Sequence, residues 1–112
     1  MLKVQPYMHI SDLIAKCYEL IRGIDFLYIE DMDANIYILA LKACILRIFE
    51  MPGANETDIG NCLLRHLDEL YNLNHDRKAF AWVFYGKLNP LYIQWYAQSC
   101  CHEHMLENAY VN

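Results

Sequence analysis

Two cysteine–histidine pairs are the residues whose types and spacing come nearest to a chemical site. Cys62 precedes His66 by four positions, and Cys100 precedes His104 by the same interval. On a helix this interval places both side chains on one side, and two antiparallel helices would bring four ligands together. Thiolate and imidazole are suitable ligands for a tetrahedral zinc ion. The spacing permits a structural zinc site, although known sites more often use a Cys-x2-Cys knuckle.

The alternative is that these residues are structural and bind no metal. In that case Cys62 packs as a small apolar side chain, and His66 lies at the edge of a helix's apolar face. Catalytic patterns are missing from the sequence. The two serines, Ser11 and Ser99, lie outside any nucleophile elbow, and there is no glycine-rich phosphate loop. We therefore predict a protein that is not an enzyme and that uses no cofactor, zinc being the alternative.

Composition excludes several classes of protein. The 112 residues are 56% hydrophobic with a formal charge of −5, and they include no run of Lys or Arg. This charge argues against nonspecific binding of nucleic acid. The less favoured alternative is a DNA-binding regulator, in which a helix-turn-helix around residues 72–74 would present Arg77 and Lys78, but an apolar run follows them. The longest apolar stretch, residues 36–48, is too short to cross a bilayer, and five unpatterned cysteines favour the reducing interior of a cell.

The elements that must position these residues are helices. Apolar spacing and capping signals predict an all-α fold, a compact bundle of about five helices in one domain, residues 1–112. A short extended arm, residues 1–10, precedes the bundle, and a frayed tail, residues 108–112, follows it. Residues 24–29 fit either a strand or a loop. The predicted helices run from about Ser11 to Gly23, Asp33 to Phe49, Asn55 to Tyr71, Asp76 to Lys87 and Pro90 to Glu107.

Two of these helices, the second and the fourth, are apolar on nearly every side. We expect the second to be a central helix enclosed by the others. The chain also carries 2 Trp, 9 Tyr and 4 Phe, and so small a domain has little interior for them. We infer that part of the surface formed by residues 80–96 is covered by another chain. The alternative is that these rings simply fill one core.

The resulting hypothesis is a non-enzymatic protein-binding module, a small acidic inhibitor, antagonist or assembly adaptor that occupies the surface of a partner protein. Self-association as a homodimer is compatible with it. We expect neither a nucleic acid nor a membrane as partner. The predicted anchors are aromatic: Trp82, Tyr85, Tyr92, Trp95 and Tyr96. The predicted acidic residues that attract a basic partner are Glu30, Asp31 and Asp33.

Overall fold

Four helices make up the part of the chain that the computed structural model describes, residues 9–51, 57–73 and 75–99. They are α1 (Ile10–Ile29), α2 (Asn35–Phe49), α3 (Asp58–Asn72) and α4 (Arg77–Val83). α4 continues without a break through a π-helical turn, Phe84–Leu88, into helical residues 89–99, and we call residues 77–99 the fourth helix. The all-α prediction is confirmed. The prediction of about five helices is corrected to four within the described ranges.

α1 is longer at both ends than the sequence pattern predicted. His9, not Ser11, is the N-cap residue, and its backbone N–H donates to Asp12 Oδ2 at 3.4 Å. The predicted arm therefore overlaps helix at Ile10; residues 1–8, like the predicted tail, lie outside the described ranges. Gly23 does not end the helix, and residues 24–29 are helical rather than a strand or loop.

Gly23 serves close packing instead of helix termination. A Cβ atom at this position would collide with Cδ2 and Cε2 of the Tyr37 ring. The missing side chain thus lets α2 approach α1 closely. Gly60 has the same role between α2 and α3, because its Cβ would lie 2.5 Å from Cζ of Phe49. Two ring-against-glycine contacts therefore fix α2 between its neighbours.

The true end of α1 is a Schellman motif. The backbone N–H of Met32 donates to the carbonyl of Leu27 at 2.7 Å, and that of Asp31 donates to Tyr28 at 3.1 Å. Asp31 has φ 57°, in the left-handed region where glycine is usual. The turn then leads into α2, where Asp33 Oδ1 accepts the backbone N–H of Asn35 at 2.8 Å.

The fourth helix passes through Asn89 and Pro90, where the sequence predicted a break. Proline lacks the N–H that an α-helix needs, and its ring crowds the preceding turn. The π-helical turn just before Pro90 is wider than an α-helical turn, and Asn89 N–H donates to the carbonyl of Phe84, five residues back. This local widening accommodates the proline without ending the helix.

Side-chain caps begin the other two helices. Thr57 Oγ1 accepts the N–H of Gly60 at 3.0 Å, so Thr57 and not Asn55 caps α3. Asp76 Oδ1 accepts the N–H of Ala79 at 3.1 Å, as expected for the start of the fourth helix. One core joins all four helices, and its largest fully buried side chains include Leu13, Ile24, Leu41, Leu67 and Phe84.

Candidate interaction surface

α2 is not enclosed, contrary to the sequence-based expectation. Its outer side carries a row of apolar residues, which we call the α2 row: Ile36, Leu39, Ala43 and Leu46. All four are exposed, and the exposed fractions of Ile36, Leu39 and Leu46 are 70%, 50% and 42%. Their spacing of three, four and three residues is that of the a and d positions of a coiled coil. The row is therefore the pattern by which one helix packs along another.

The opposite side of α2 explains why this row faces outward. Leu41, Ile45 and Ile48 are at most 4% exposed and lie in the core, between α1 and α3. Cys44 is also buried there and accepts a hydrogen bond from the thiol of Cys17 on α1. This hydrogen bond, together with burial, raises the pKa of Cys17 well above its usual range. Because one side of α2 is fully used by the core, the α2 row has no partner among the described helices.

Three further exposed apolar residues lie at the corner where α1 ends and the turn to α2 begins. Phe26, Ile29 and Met32, which we call the corner group, are 58%, 62% and 58% exposed. Burying the α2 row and the corner group together would remove on the order of several hundred Å² from water. A standard interface buries about 800 Å² on each partner. Together the two groups thus approach the size that a specific interface needs.

The charges beside the α2 row are already paired within the chain. Lys42 Nζ lies 2.7 Å from Asp68 Oδ1, and Arg47 lies 3.2 Å from Glu50 Oε2. The N-terminal end of the row is acidic, since Glu30, Asp31 and Asp33 are all exposed in the preceding turn. Two of these predicted acidic residues have structural partners, because Asp31 binds Arg77 at 2.7 Å and Asp33 accepts the backbone N–H of Asn35 at 2.8 Å.

The five predicted aromatic anchors divide into two groups. Tyr92 and Trp95 are only 4% and 3% exposed and belong to the core of this chain, because the fourth helix turns them inward. Tyr96 is half-buried, with its ring centroid 5.8 Å from that of Tyr18. Only Trp82, at 71%, and Tyr85, at 41%, are exposed. For Tyr92 and Trp95, the alternative that the rings fill a core describes the structure better.

A second cluster joins the end of α1 to the fourth helix. The ring of Tyr28 stacks on Phe80, with centroids 5.4 Å apart, and the guanidinium of Arg77 lies 4.3 Å from the centroid of Tyr28. Arg77 also donates to the backbone carbonyl of Tyr28 at 3.0 Å. A cavity of about 210 Å³ opens here, lined by Tyr28, Asp31, Met32, Asp33, Arg77 and Phe80. The ion pair with Asp31 neutralises Arg77, so the cavity offers no unpaired cation to an anionic ligand.

Tyr85 is anchored at the edge of this cluster by its hydroxyl, which donates to Asp25 Oδ1. Partial burial raises the pKa of Tyr85, and the hydrogen bond and the negative charge of Asp25 raise it further. Its ring also meets Tyr28 edge-on, with centroids 5.7 Å apart. Tyr85 is therefore a structural link between α1 and the fourth helix. Of the five predicted aromatic anchors, Trp82 is then the exposed one without such a link.

The predicted zinc ligands are only partly described. Cys62 Sγ accepts from the Arg65 guanidinium at 2.8 Å, and His66 Nδ1 lies 2.8 Å from Glu69 Oε1. Cys100 and His104 lie outside the described residues. Within the described ranges no group of three or more metal-binding side chains comes together. None of the helices in the same ranges combines the length and hydropathy of a membrane span.

No family model, curated protein or solved structure matches this chain. We therefore infer its function from the surface itself. The α2 row was overlooked from sequence because α2 is apolar on both sides, which indicated complete burial. The signal that could have revealed it is the second apolar repeat within residues 36–46, offset from the one that forms the core.

Proposed function

We propose that this protein is a non-enzymatic interaction module that binds an amphipathic helix of another polypeptide chain along the α2 row. The observation that carries this proposal is four exposed apolar residues at heptad spacing on the outer side of α2. Helix-in-groove and coiled-coil partners are recognised through such a repeat. An inhibitor, antagonist or assembly adaptor would act by occupying a partner in this way.

The proposal is supported by the free energy that burying this apolar surface would release. Leaving Ile36 and Leu39 exposed forgoes about 25 cal/mol for each Å² of apolar area that a partner could cover. The helices around the row are closely packed, because Gly23 and Gly60 seat the neighbouring rings of Tyr37 and Phe49. A rigid scaffold loses little conformational freedom when it binds, so more of the burial free energy remains as affinity.

The chemistry of the partner follows from the charge near the row. Glu30 and Asp33 lie just before the N-terminus of α2 and are exposed. A bound helix would therefore be apolar at its own a and d positions and cationic at the end that meets these carboxylates. We place this function in the reducing interior of a cell, where Cys17, Cys44 and Cys62, free in the structure, stay reduced.

The test is a fluorescence-anisotropy titration with a synthetic helix that has leucine at its a and d positions and lysines at one end. The chain offers a matched pair of variants, since Ile36 and Ile93 are 70% and 68% exposed on different helices. Saturable binding to the parent, loss in Ile36→Lys and retention in Ile93→Lys are expected. Equal loss in both variants, or no binding at a concentration where the parent is monomeric, would contradict the proposal.

A further inference from the structure

We infer that the helix bound along the α2 row is α2 of a second copy of this chain, antiparallel to the first and related to it by a two-fold axis. This inference rests on the proposed function and names the partner. A two-fold interface uses the same patch on both subunits, so the patch must be complementary to itself. The α2 row meets this requirement in the size of its residues, and the turn and helix ends beside it meet it in their charges.

The sizes along the row are complementary when it is reversed. With the two-fold axis at the middle of the row, Ile36 faces Leu46 of the partner subunit, and Leu39 faces Ala43 of the partner subunit. The two outer layers then pair isoleucine with leucine, and the two inner layers pair leucine with alanine. Filling a helix interface in this way leaves no layer without side-chain volume. At about 1.5 Å per residue the four layers span about 15 Å, roughly three helical turns.

A parallel dimer fits the same residues less well. Ala43 would face Ala43 of the partner subunit, which would leave a gap in the centre of the interface. Glu30 and Asp33, exposed before α2, would also lie beside the same carboxylates of the partner subunit. Like charges held close together destabilise an interface. The small residue at position 43 and the acidic turn therefore both favour the antiparallel arrangement.

The charges at the two ends of α2 support the same orientation. Arg47 lies in the last turn of α2, and Asp33 lies just before its first turn. In the antiparallel dimer Arg47 of one subunit faces residue 35 of the other, within a turn of Asp33. Arg47 is paired with Glu50 at 3.2 Å, and its side chain is 28% exposed. At each end of the interface Arg47 thus comes within a turn of Asp33 of the partner subunit, while Glu50 of the same pair faces position 32.

The corner group adds area to this dimer. Phe26, Ile29 and Met32 precede α2 in sequence and are each more than half exposed. In the antiparallel arrangement they lie beyond Ile36 and so beside the C-terminal end of α2 of the partner subunit. The α2 row alone offers less than the roughly 800 Å² that each subunit of a standard interface buries. With the corner group included, the apolar area available to the dimer approaches that value.

Light scattering over a range of concentrations tests the association. We expect the parent and Ile93→Lys to form dimers and Ile36→Lys to be monomeric, with a dimer dissociation constant raised by about tenfold or more. A monomeric parent that still binds the synthetic helix would overturn this inference and leave the proposed function standing. A monomeric parent that binds no helix would remove both. Circular dichroism checks that the two lysine variants keep the same helix content.

Cross-linking in isotopically mixed dimers tests the orientation. A benzophenone amino acid at position 46 is photolysed in an equal mixture of nitrogen-14 and nitrogen-15 protein, and peptides joined between copies are identified by mass spectrometry. Cross-links from position 46 to the peptide that contains Ile36 are expected. Cross-links from position 46 to the peptide around position 46 of the other copy would show a parallel dimer and overturn the inference. A spread of cross-links over the fourth helix would overturn it as well.

Discussion

Arg77 forms an ion pair with Asp31, which is the one non-glycine residue with a positive φ in the described part of the chain. The guanidinium NH1 lies 2.7 Å from Asp31 Oδ1, and the backbone of Asp31 has φ 57°. The left-handed region normally selects glycine at the end of a helix. Here a carboxylate occupies the position and reaches across to the fourth helix, 46 residues away in sequence. The turn before the acidic end of the α2 row is thus fixed by a long-range contact.

This relationship predicts an unusual order of stability at position 31. Asp31→Gly should leave the protein more stable than Asp31→Ala by about 1 kcal/mol, because alanine in the left-handed region is strained and glycine is not. Both variants lose the same exposed ion pair, so the difference isolates the backbone. Urea denaturation measures it. At the neighbouring Glu30, with φ −82°, the order should not favour glycine, and a lower stability of Gly than of Ala at position 31 would refute the assignment.

The contact of Gly23 with Tyr37 gives a second prediction. Alanine inside a helix normally stabilises relative to glycine by about 1 kcal/mol. Gly23→Ala should instead destabilise by about 1–3 kcal/mol, because the new methyl group collides with the Tyr37 ring. Gly86, whose Cβ would meet nothing within 4 Å, is the matched control, and Gly86→Ala should be neutral or stabilising. If Gly23→Ala gained stability as Gly86→Ala does, the close approach of α1 and α2 would be wrong.

The Tyr85–Asp25 hydrogen bond makes stability depend on alkaline pH. The pKa of Tyr85 is raised in the folded state above its usual value near 10. The unfolded chain therefore releases this proton first as pH rises, and stability falls from about pH 10 upward. Below about pH 10 the contribution is fully present. Urea denaturation at pH 8 to 10.5 should show a steeper decline for the parent than for Tyr85→Phe, whereas parallel curves would show that Tyr85 contributes nothing to the alkaline loss.

The two tryptophans should behave as opposites. Trp95 is 3% exposed and Trp82 is 71% exposed. We expect Trp95→Ala to destabilise by about 3–5 kcal/mol and Trp82→Ala by less than about 0.5 kcal/mol. Acrylamide quenching of the single-tryptophan variants provides the spectroscopic check. Fluorescence from Trp82 should be quenched readily and that from Trp95 should be protected, so equal quenching would contradict the burial of Trp95.

The sequence predicted the fold class and most helix positions because apolar periodicity and capping are local signals. It failed where a long-range contact overrides the local signal. Gly23 looked like the end of a helix, but it is the seat of a ring from α2. Asn89 and Pro90 looked like a new start, but a π-helical turn absorbs the proline. Sequence spacing alone does not show that Tyr37 lies against Gly23 or that the N–H of Asn89 reaches the carbonyl of Phe84.

The candidate surface was predictable only in part. An excess of apolar side chains was inferred from composition and was assigned to the aromatic residues of the fourth helix. Tyr92 and Trp95 are buried, whereas the aliphatic Ile36 and Leu39 are exposed. The size and chemistry of a side chain alone do not show whether it is buried or exposed. The side of an all-apolar helix that faces the core depends on the neighbouring helices. The heptad spacing becomes informative once the core side of α2 is known.

Hydroxyl-radical footprinting with the synthetic helix tests most directly whether the α2 row is the binding surface. The protein is exposed to radicals at a low concentration, with and without a saturating amount of the helix, and oxidation is quantified residue by residue. The account predicts protection of Ile36, Leu39 and Leu46 upon binding, with Trp82 and Ile93 oxidised to the same extent in both samples. Protection of Trp82 and Ile93 with no change along the α2 row would contradict it.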